Sequence, residues 1–274
     1  MANLLLLVAM NDEAKPTIEK FNLQKAEPME GLPFEIYKGE GNGQRITLMT
    51  SGRDPELGLD NVGTQAASVM AAFGIREFKP DMVLNFGTAG GFKASGAEIG
   101  TVYLCGDFKY HDRRIPIPGF DKYGVGNYAS GVPKGLAAKF PVATVTTGNS
   151  LDSTENERKE MFEQAEHRPL VKEMEAAAIA QVCSWSKKPF LALKSITDII
   201  DGEGVPQQEF MENLHLASEK LQEGVDAFLH EFTQLEHTAE FRKQMSLSQE
   251  FNEGEKISEI ATEAKEHIPK IPFR

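Results

Sequence analysis

The chain has 274 residues, with 41 acidic against 29 basic side chains and a formal net charge of −12 at pH 7. Nucleic acids and anionic membranes are bound by clustered Lys and Arg, so this charge disfavours both as partners and favours a small solute. The length suits one large α/β domain or two small ones. Cys105 and Cys183 each lie in an apolar stretch without metal-ligand spacing, which predicts core thiols in a reducing, cytoplasmic compartment.

Apolar β-rich runs alternate with helical patterns along the chain, which predicts a sheet with helices on both faces. The start, MANLLLLVAMNDE, lacks a basic segment and is too short in its apolar run to span a bilayer, so it predicts a strand. The predicted strands are Leu4–Ala9, Phe34–Lys38, Ile46–Ser51, Met82–Phe86, Thr101–Cys105, Val142–Thr146 and Phe190–Ser195. The predicted helices are Val62–Phe73, Glu155–Gln164, Met174–Trp185 and Gln207–Phe232.

Two parts of the chain differ in character. Residues 1–233 contain no visible repeat or linker, which predicts one domain. Residues 234–274 are polar, charged and poor in large apolar side chains, which predicts an appended helical or partly disordered tail.

The segment VLNFGTAGGFK, residues 83–93, is typical of a buried strand that runs into a glycine turn. Such a turn holds a phosphate in some proteins and only permits a tight bend in others. The motif alone leaves both interpretations open.

Three acids stand where ligands gather in open α/β sheets, beyond the carboxyl ends of strands. Glu13 follows the first strand, and Asp198 ends the strand FLALKSITD. Glu175 lies in VKEMEAAAIAQV, where it and Glu173 flank Met174 at the start of an alanine-rich helix. Each acid also has a purely structural interpretation, as a first-turn acid or as an N-cap. Their joint occurrence favours a functional site.

The ordered motifs AMNDE, NFGTAGGF, HDRRIPIPGFDKYGVG, TTGNSLD, EMEAAAIAQVC and SITDIIDG resemble those of the methylthioadenosine/S-adenosylhomocysteine nucleosidases, in the nucleoside phosphorylase superfamily. The plant-type branch is the most similar, and the resemblance covers residues 1–233. It implies a three-layer α/β/α fold with a mixed central sheet, a homodimer, and no cofactor or metal. It also implies hydrolysis of the N-glycosidic bond of 5′-methylthioadenosine in methionine salvage, and it leaves activity on S-adenosylhomocysteine open.

Cleavage of an adenine nucleoside requires three groups. Adenine leaves poorly as an anion, so N7 must gain a proton, and Asp198, oriented by Thr197, is placed to supply it. Water must attack C1′ from the opposite face, a role that the resemblance assigns to Glu13. The ribose hydroxyls need an acceptor, which the resemblance identifies as Glu175, with Met174 packed against the sugar.

The resemblance also implies contacts around these three acids. Thr88, Ala89 and Gly90 are expected to approach the ribose and the purine, and backbone groups of Leu151 and Asp152 the adenine edge. Leu151 replaces the aromatic residue that stacks on the base in the family. The other candidate binding residues are Glu173, Phe210, Leu214 and, from a neighbouring subunit, Ile115 and Phe120. A plain core helix and a proline-stiffened surface loop remain alternatives for the last four.

Two other functions remain open: a purine nucleoside phosphorylase of the same superfamily, and a non-catalytic nucleoside-binding or storage protein on the same fold. Hexameric phosphorylases carry an arginine where this chain has Asn85, and the two acids of AMNDE would repel an anion. The glycine motif is therefore predicted to hold no phosphate. Arg53 is the remaining candidate cation, with Asp54 or Glu56 as its expected structural partner.

Overall fold

The computed structural model describes residues 1–165, 168–238, 241 and 243. The strands are β1 (Asn3–Val8), β2 (Gln24–Lys25), β3 (Glu35–Gly41), β4 (Gln44–Thr50), β5 (Met82–Gly91), β6 (Val102–Tyr110), β7 (Tyr128–Ala129), β8 (Val142–Thr147), β9 (Leu170–Glu173) and β10 (Phe190–Ile199). The α-helices are α1 (Asn11–Lys20), α2 (Thr64–Phe78), α3 (Phe120–Val125), α4 (Lys134–Ala137), α5 (Glu155–Gln164), α6 (Ala176–Trp185) and α7 (Pro206–Leu235).

One mixed sheet contains all of these strands, and β5 is at its centre. β5 pairs in parallel with β1 and β10, and its last residues, Gly90 and Gly91, pair antiparallel with β9. Strands β10, β6, β8, β9 and β5 close into a ring, while β1, β4, β3 and β2 extend from it as an open sheet. The carboxyl end of β5 is therefore surrounded by β1, β10 and β9.

The alternation of side chains along β1 explains why helices cover both faces of the sheet. Leu5 and Leu7 belong to a core cluster with residues of α2 and α6, such as Ala71 and Ala177. Leu4, Leu6 and Val8 belong to a second cluster, with Leu221, Val225 and Phe228 of α7. The predicted three-layer α/β/α fold is confirmed.

The predicted turn in the glycine motif is wrong, because β5 continues through it to Gly91. The φ angles of Gly87, Gly90 and Gly91 are not in the positive range that favours glycine. Gly90 and Gly91 serve close packing instead, since a Cβ on Gly91 would lie 2.5 Å from Cβ of Ala97, whereas a Cβ on Gly87 would make only ordinary contacts, the nearest at 3.4 Å. At Gly90 and Gly91 the motif uses glycine because there is no room for a side chain, and not because the backbone adopts a conformation that only glycine allows.

Other differences lie near the three acids. Helix α1 was not predicted, because its sequence has few apolar residues and contains Pro16. Strand β9 was missed because its four residues merge with the helical pattern that follows. Strand β10 runs on to Ile199, so Asp198 lies within a strand and is not an N-cap.

The end of the described chain is joined to the core. Helix α7 runs to Leu235, and the ring of Phe241 packs against Phe232 with their centroids 5.4 Å apart. The predicted tail lies outside the described residues from 244 onward. Among the helices that are described, none is long and apolar enough to cross a membrane. Cys105 and Cys183 are buried and free.

Candidate active site

Glu13 reaches β5 from the first turn of α1, and its side chain is buried. Its Oε1 accepts hydrogen bonds from the backbone N–H of Thr88 at 2.7 Å and from Oγ1 of Thr88 at 2.6 Å. Burial raises the pKa of Glu13, while the bonds from Thr88 and the charge of Lys194 oppose the rise. A buried carboxylate with a raised pKa is a stronger base than one in water, and Thr88 fixes its position.

Glu175 occupies the position directly before the first residue of α6. Its Oε1 accepts a hydrogen bond of 2.8 Å from the N–H of Gly63, whose φ of 100° favours glycine. Burial and the neighbouring charge of Glu173 raise the pKa of Glu175 to about 7. Met174, between the two glutamates, is half-buried. Glu175 therefore titrates near neutral pH.

Lys194 is a residue of this site that sequence reasoning missed. It lies in β10 with 1 % of its side chain exposed, and its Nζ is 2.8 Å from Oε2 of Glu173. Burial lowers the pKa of Lys194, but Glu173 and Glu175 outweigh that effect and raise it. A lysine inside the apolar run FLALKSI is the signal that predicts a buried ion pair.

Glu173 is engaged by protein donors on both oxygens. Besides Lys194, it accepts hydrogen bonds from Oγ1 of Thr147 and from the N–H groups of Glu175 and Ala176. Burial alone would raise its pKa, but Lys194 and these bonds hold the pKa of Glu173 below its usual range. Glu173 thus joins the start of α6 to Lys194, on the side of the site where Glu13 and Glu175 lie.

Asp198 is buried near the end of β10, where it pairs with Gly90 of β5. Its Oδ1 accepts a hydrogen bond of 2.8 Å from Oγ1 of Thr197, which is also 3.3 Å from the carbonyl oxygen of Ala89. Burial raises the pKa of Asp198, against Thr197 and Lys172. A Cβ on Gly90 would lie 2.8 Å from Oδ2 of Asp198, so glycine leaves the space that this carboxyl occupies.

Glu13 and Asp198 meet the same short stretch of β5. Glu13 is bonded to Thr88, and Asp198 lies against Gly90, two positions further along the strand. Two residues of an extended strand span roughly 7 Å. The two carboxyl groups therefore contact neighbouring positions of one strand, Glu13 at Thr88 and Asp198 at Gly90.

The start of α7 is fastened beside Asp198. Glu209 accepts a hydrogen bond of 2.8 Å from the backbone N–H of Ile199. The side chain of Asn213 donates a hydrogen bond of 3.0 Å to the carbonyl oxygen of Thr197. Phe210 and Leu214 lie on the same turns and are half-buried. These two apolar side chains therefore lie on the helix that flanks the acid.

The remaining predicted site residues are more exposed. Leu151 is 41 % exposed, and Asp152 beside it is also exposed, in the loop after β8. Ile115 is half-buried, and Phe120 is exposed with its ring packed on Tyr123, centroid to centroid 6.4 Å. The structure thus brings Glu13 and Asp198 to the end of β5, with Glu175 close to Glu13, and leaves Ile115 and Phe120 on a separate segment that leads into α3.

Arg53 has a structural partner, although not one of the two that were expected. Its Nε lies 3.7 Å from Oδ1 of Asp60, which also accepts a 2.9 Å hydrogen bond from Asn11. The carboxylate of Asp54 is occupied by backbone N–H groups of its own turn. The expected pairing of Arg53 with Asp54 or Glu56 is wrong because this local turn takes up Asp54.

Comparison with known proteins identifies the relatives of this chain. The model of the phosphorylase superfamily matches residues 3–230. A 5′-methylthioadenosine nucleosidase of Arabidopsis thaliana is 40 % identical over 228 residues, which cover 81 % of this chain and 84 % of that protein. An Arabidopsis 5′-methylthioadenosine/S-adenosylhomocysteine nucleosidase is 36 % identical over 231 residues, covering 82 % and 89 %. The solved apo structure of Arabidopsis 5′-methylthioadenosine nucleosidase has a TM-score of 0.79 at 37 % identity, covering 85 % of this chain and 96 % of that one.

Proposed function

The chain belongs to the phosphorylase superfamily and, within it, to the 5′-methylthioadenosine nucleosidases, and from this premise we propose how its site hydrolyses the N-glycosidic bond of 5′-methylthioadenosine. The products are adenine and methylthioribose. The observation that carries the proposal is the grouping of three acids: Glu13 and Asp198 contact the end of β5, and Glu175 is near enough to Glu13 for the charge of Glu13 to raise its pKa.

Asp198 is the general acid in this proposal. Adenine departs more readily when N7 is protonated, and a carboxyl that holds its proton near neutral pH can provide it. Burial raises the pKa of Asp198, which supports this role. The hydroxyl of Thr197 orients the carboxyl toward the base.

Glu13 and Glu175 act on the sugar. Glu13 removes a proton from the water that attacks C1′, and its two hydrogen bonds with Thr88 support a fixed position for that step. Glu175 accepts hydrogen bonds from the ribose hydroxyls, with Met174 against the ring. The positive charge of Lys194 offsets part of the negative charge of these buried carboxylates.

The remaining predicted contacts complete the pocket. Thr88, Ala89 and Gly90 approach the ribose and purine, and Phe210 and Leu214 contact the 5′-thioalkyl group. Such apolar side chains offer little to a charged amino-acid tail, so the site prefers methylthioadenosine to S-adenosylhomocysteine. Equal kcat/KM values for the two substrates would refute that preference.

A homodimer completes this proposal. Val69 and Phe73 on α2, together with Ile117, Phe120 and Tyr123, are exposed large apolar residues, which supports burial against a second copy. Ile115 and Phe120 would then serve the 5′ group in the neighbouring subunit. The two buried free thiols suit a cytoplasmic enzyme of methionine salvage.

Product analysis with purified protein tests the activity. Methylthioadenosine is incubated with and without millimolar phosphate, and the sugar product is identified by mass spectrometry. We expect free methylthioribose at a rate independent of phosphate, for the wild-type protein and for Arg53→Ala alike. Methylthioribose 1-phosphate would establish the phosphorylase alternative, and no turnover would support the non-catalytic one.

A further inference from the structure

The loop of residues 148–152, between β8 and α5, is held by protein groups along its length. The N–H of Gly148 donates to the carbonyl of Glu173 at 3.1 Å, and the N–H of Asn149 donates to Asp112 at 2.9 Å. The side-chain oxygen of Asn149 accepts from the N–H of Thr64 at 2.9 Å. An exposed loop with this many fixed groups is built for a defined backbone conformation.

Lys172 supplies the remaining contacts of this loop. It lies on β9, is buried, and its Nζ donates to the carbonyl oxygen of Ser150 and, at 2.9 Å, to that of Leu151. Burial lowers the pKa of this lysine, while Asp198, Asp152, Glu173 and Glu157 favour its charged form. Burying the charge of a lysine costs free energy, and here the buried ammonium group donates to two consecutive carbonyls of a surface loop.

The planarity of the trans peptide bond fixes the direction of the N–H groups that follow these two carbonyls. In each peptide the C=O and the N–H point in opposite directions. Since the carbonyls of Ser150 and Leu151 both face Lys172, the N–H groups of Leu151 and Asp152 face away from it. Within the described part of the chain, neither N–H donates to another protein group.

We propose that Lys172 is a positioning residue: by holding the carbonyls of Ser150 and Leu151 it fixes the loop that the family resemblance sets against the adenine edge, so that one of the N–H groups of Leu151 and Asp152 donates to the single lone pair of N1. The inference rests on the proposed function, in which Asp198 contacts N7 of the same base. N9 carries the sugar and N3 lies next to it, which leaves N1 as the acceptor nitrogen at the outer edge, where Leu151 is exposed.

The register of the sheet supports the same assignment. Gly90 pairs with Lys172 on one side and with Asp198 on the other. Residues directly opposite each other in a sheet project from the same face. The loop held by Lys172 and the acid Asp198 therefore flank one position of β5, where the side chains of Asp198 and Ile200 fill the space that a Cβ on Gly90 would need.

The test compares two substrates that differ at N1 and at the neighbouring 6 position, which is amino in methylthioadenosine and oxo in methylthioinosine. In methylthioinosine N1 carries a hydrogen and cannot accept a bond from an N–H group. For Lys172→Met we expect the ratio of kcat/KM for methylthioadenosine to kcat/KM for methylthioinosine to fall about tenfold or more, mainly through the KM for methylthioadenosine. Damage that only loosens the protein would lower both values together and leave the ratio unchanged.

Lys109→Met is the matched control. Lys109 is also a buried lysine that donates to a backbone carbonyl, but that carbonyl belongs to Gln164 at the end of α5, at 2.6 Å, and not to the loop of residues 148–152. We expect this variant to keep the wild-type ratio. If Lys172→Met does not fold, Lys172→Gln, which retains amide donors, should give an intermediate ratio.

The outcomes separate the two proposals. A wild-type ratio in a folded Lys172 variant overturns the positioning role while methylthioadenosine hydrolysis stands. An equal loss of ratio in Lys109→Met overturns it as well, since the effect would not be specific to the loop. Absence of methylthioadenosine hydrolysis by the wild-type protein would instead overturn the proposed function.

Discussion

The two ends of the candidate site differ in the groups that surround their buried carboxylates. At the sugar end, defined by Glu13, Glu173, Glu175 and Lys194, the carboxylates accept hydrogen bonds from backbone N–H groups and share a buried lysine. At the purine end, Asp198 accepts from the hydroxyl of Thr197, and the nearby lysine donates to loop carbonyls.

This difference teaches how one residue type serves opposite roles. Hydrogen bonds to a carboxylate favour its ionised form, and burial favours its protonated form. Burial prevails at both ends, because it raises the pKa values of Glu13, Glu175 and Asp198 alike, and of these acids only Glu173, which is bonded to Lys194, has a pKa below its usual range. The ends differ in their cation: Lys194 offsets the negative charge of the sugar end, whereas Lys172 is engaged by loop carbonyls. Substitutions at each end should therefore fail in different ways.

The largest effect is expected at the purine end. Asp198→Asn should lower kcat for methylthioadenosine about a thousandfold, because an amide cannot deliver a proton to N7. The variant should unfold at no lower temperature than wild type at pH 7, since it removes a buried acid whose pKa is raised. Steady-state kinetics and thermal unfolding check both points, and a wild-type rate would remove Asp198 from its role.

At the sugar end the two glutamates should separate kinetically. Glu13→Gln should depress kcat about a hundredfold with little change in KM, because it removes the base from the chemical step. Glu175→Gln should raise KM and lower kcat, because the ribose loses its acceptor. A silent substitution at either position in steady-state kinetics would show that its assigned role is wrong.

The pKa of Glu175 predicts a pH-dependent stability. Its folded value of about 7 lies above its ordinary value of 4.5, so its proton stabilises the fold fully below that ordinary value and progressively less as the pH rises through 7. Between pH 5 and 8, wild type should lose on the order of 2 kcal/mol of unfolding free energy relative to Glu175→Gln. Denaturant titrations at both pH values measure this, and a constant difference would contradict the assignment.

The smallest effect on activity is expected far from both ends. Truncation after Phe232 should leave kcat/KM within a few-fold, because the acids and their hydrogen-bond partners precede it. It should lower the melting temperature, because it removes the buried ring of Phe241 from Phe232. Full-length Phe241→Ala is the control and should reproduce part of that loss. A large loss of activity in soluble truncated protein would mean that the tail belongs to the site.

The sequence predicted the layered fold, because strand periodicity is a local signal, and its short motifs placed Glu13 and Asp198 at the ends of strands, where the structure also has them. The span of Glu155–Gln164 agrees with α5, where Thr154 and Glu157 form a capping box. Lys172 and Lys194 were not predicted as parts of the site, since a lysine in an apolar strand shows its partner only in three dimensions. Gly90 lies against Asp198, which is more than a hundred residues away in the sequence. The motif alone therefore suggested a turn at a position where the structure requires close packing.

The division of work between the two ends is tested most directly with a substrate whose leaving group needs no protonation. A 4-nitrophenyl 5-methylthio-β-riboside releases a stable anion, so its hydrolysis needs the base but not the acid. We predict that Asp198→Asn hydrolyses it within about tenfold of the wild-type kcat, whereas Glu13→Gln loses about a hundredfold. Equal losses in the two variants would contradict the assignment of the acid to the purine end and the base to the sugar end.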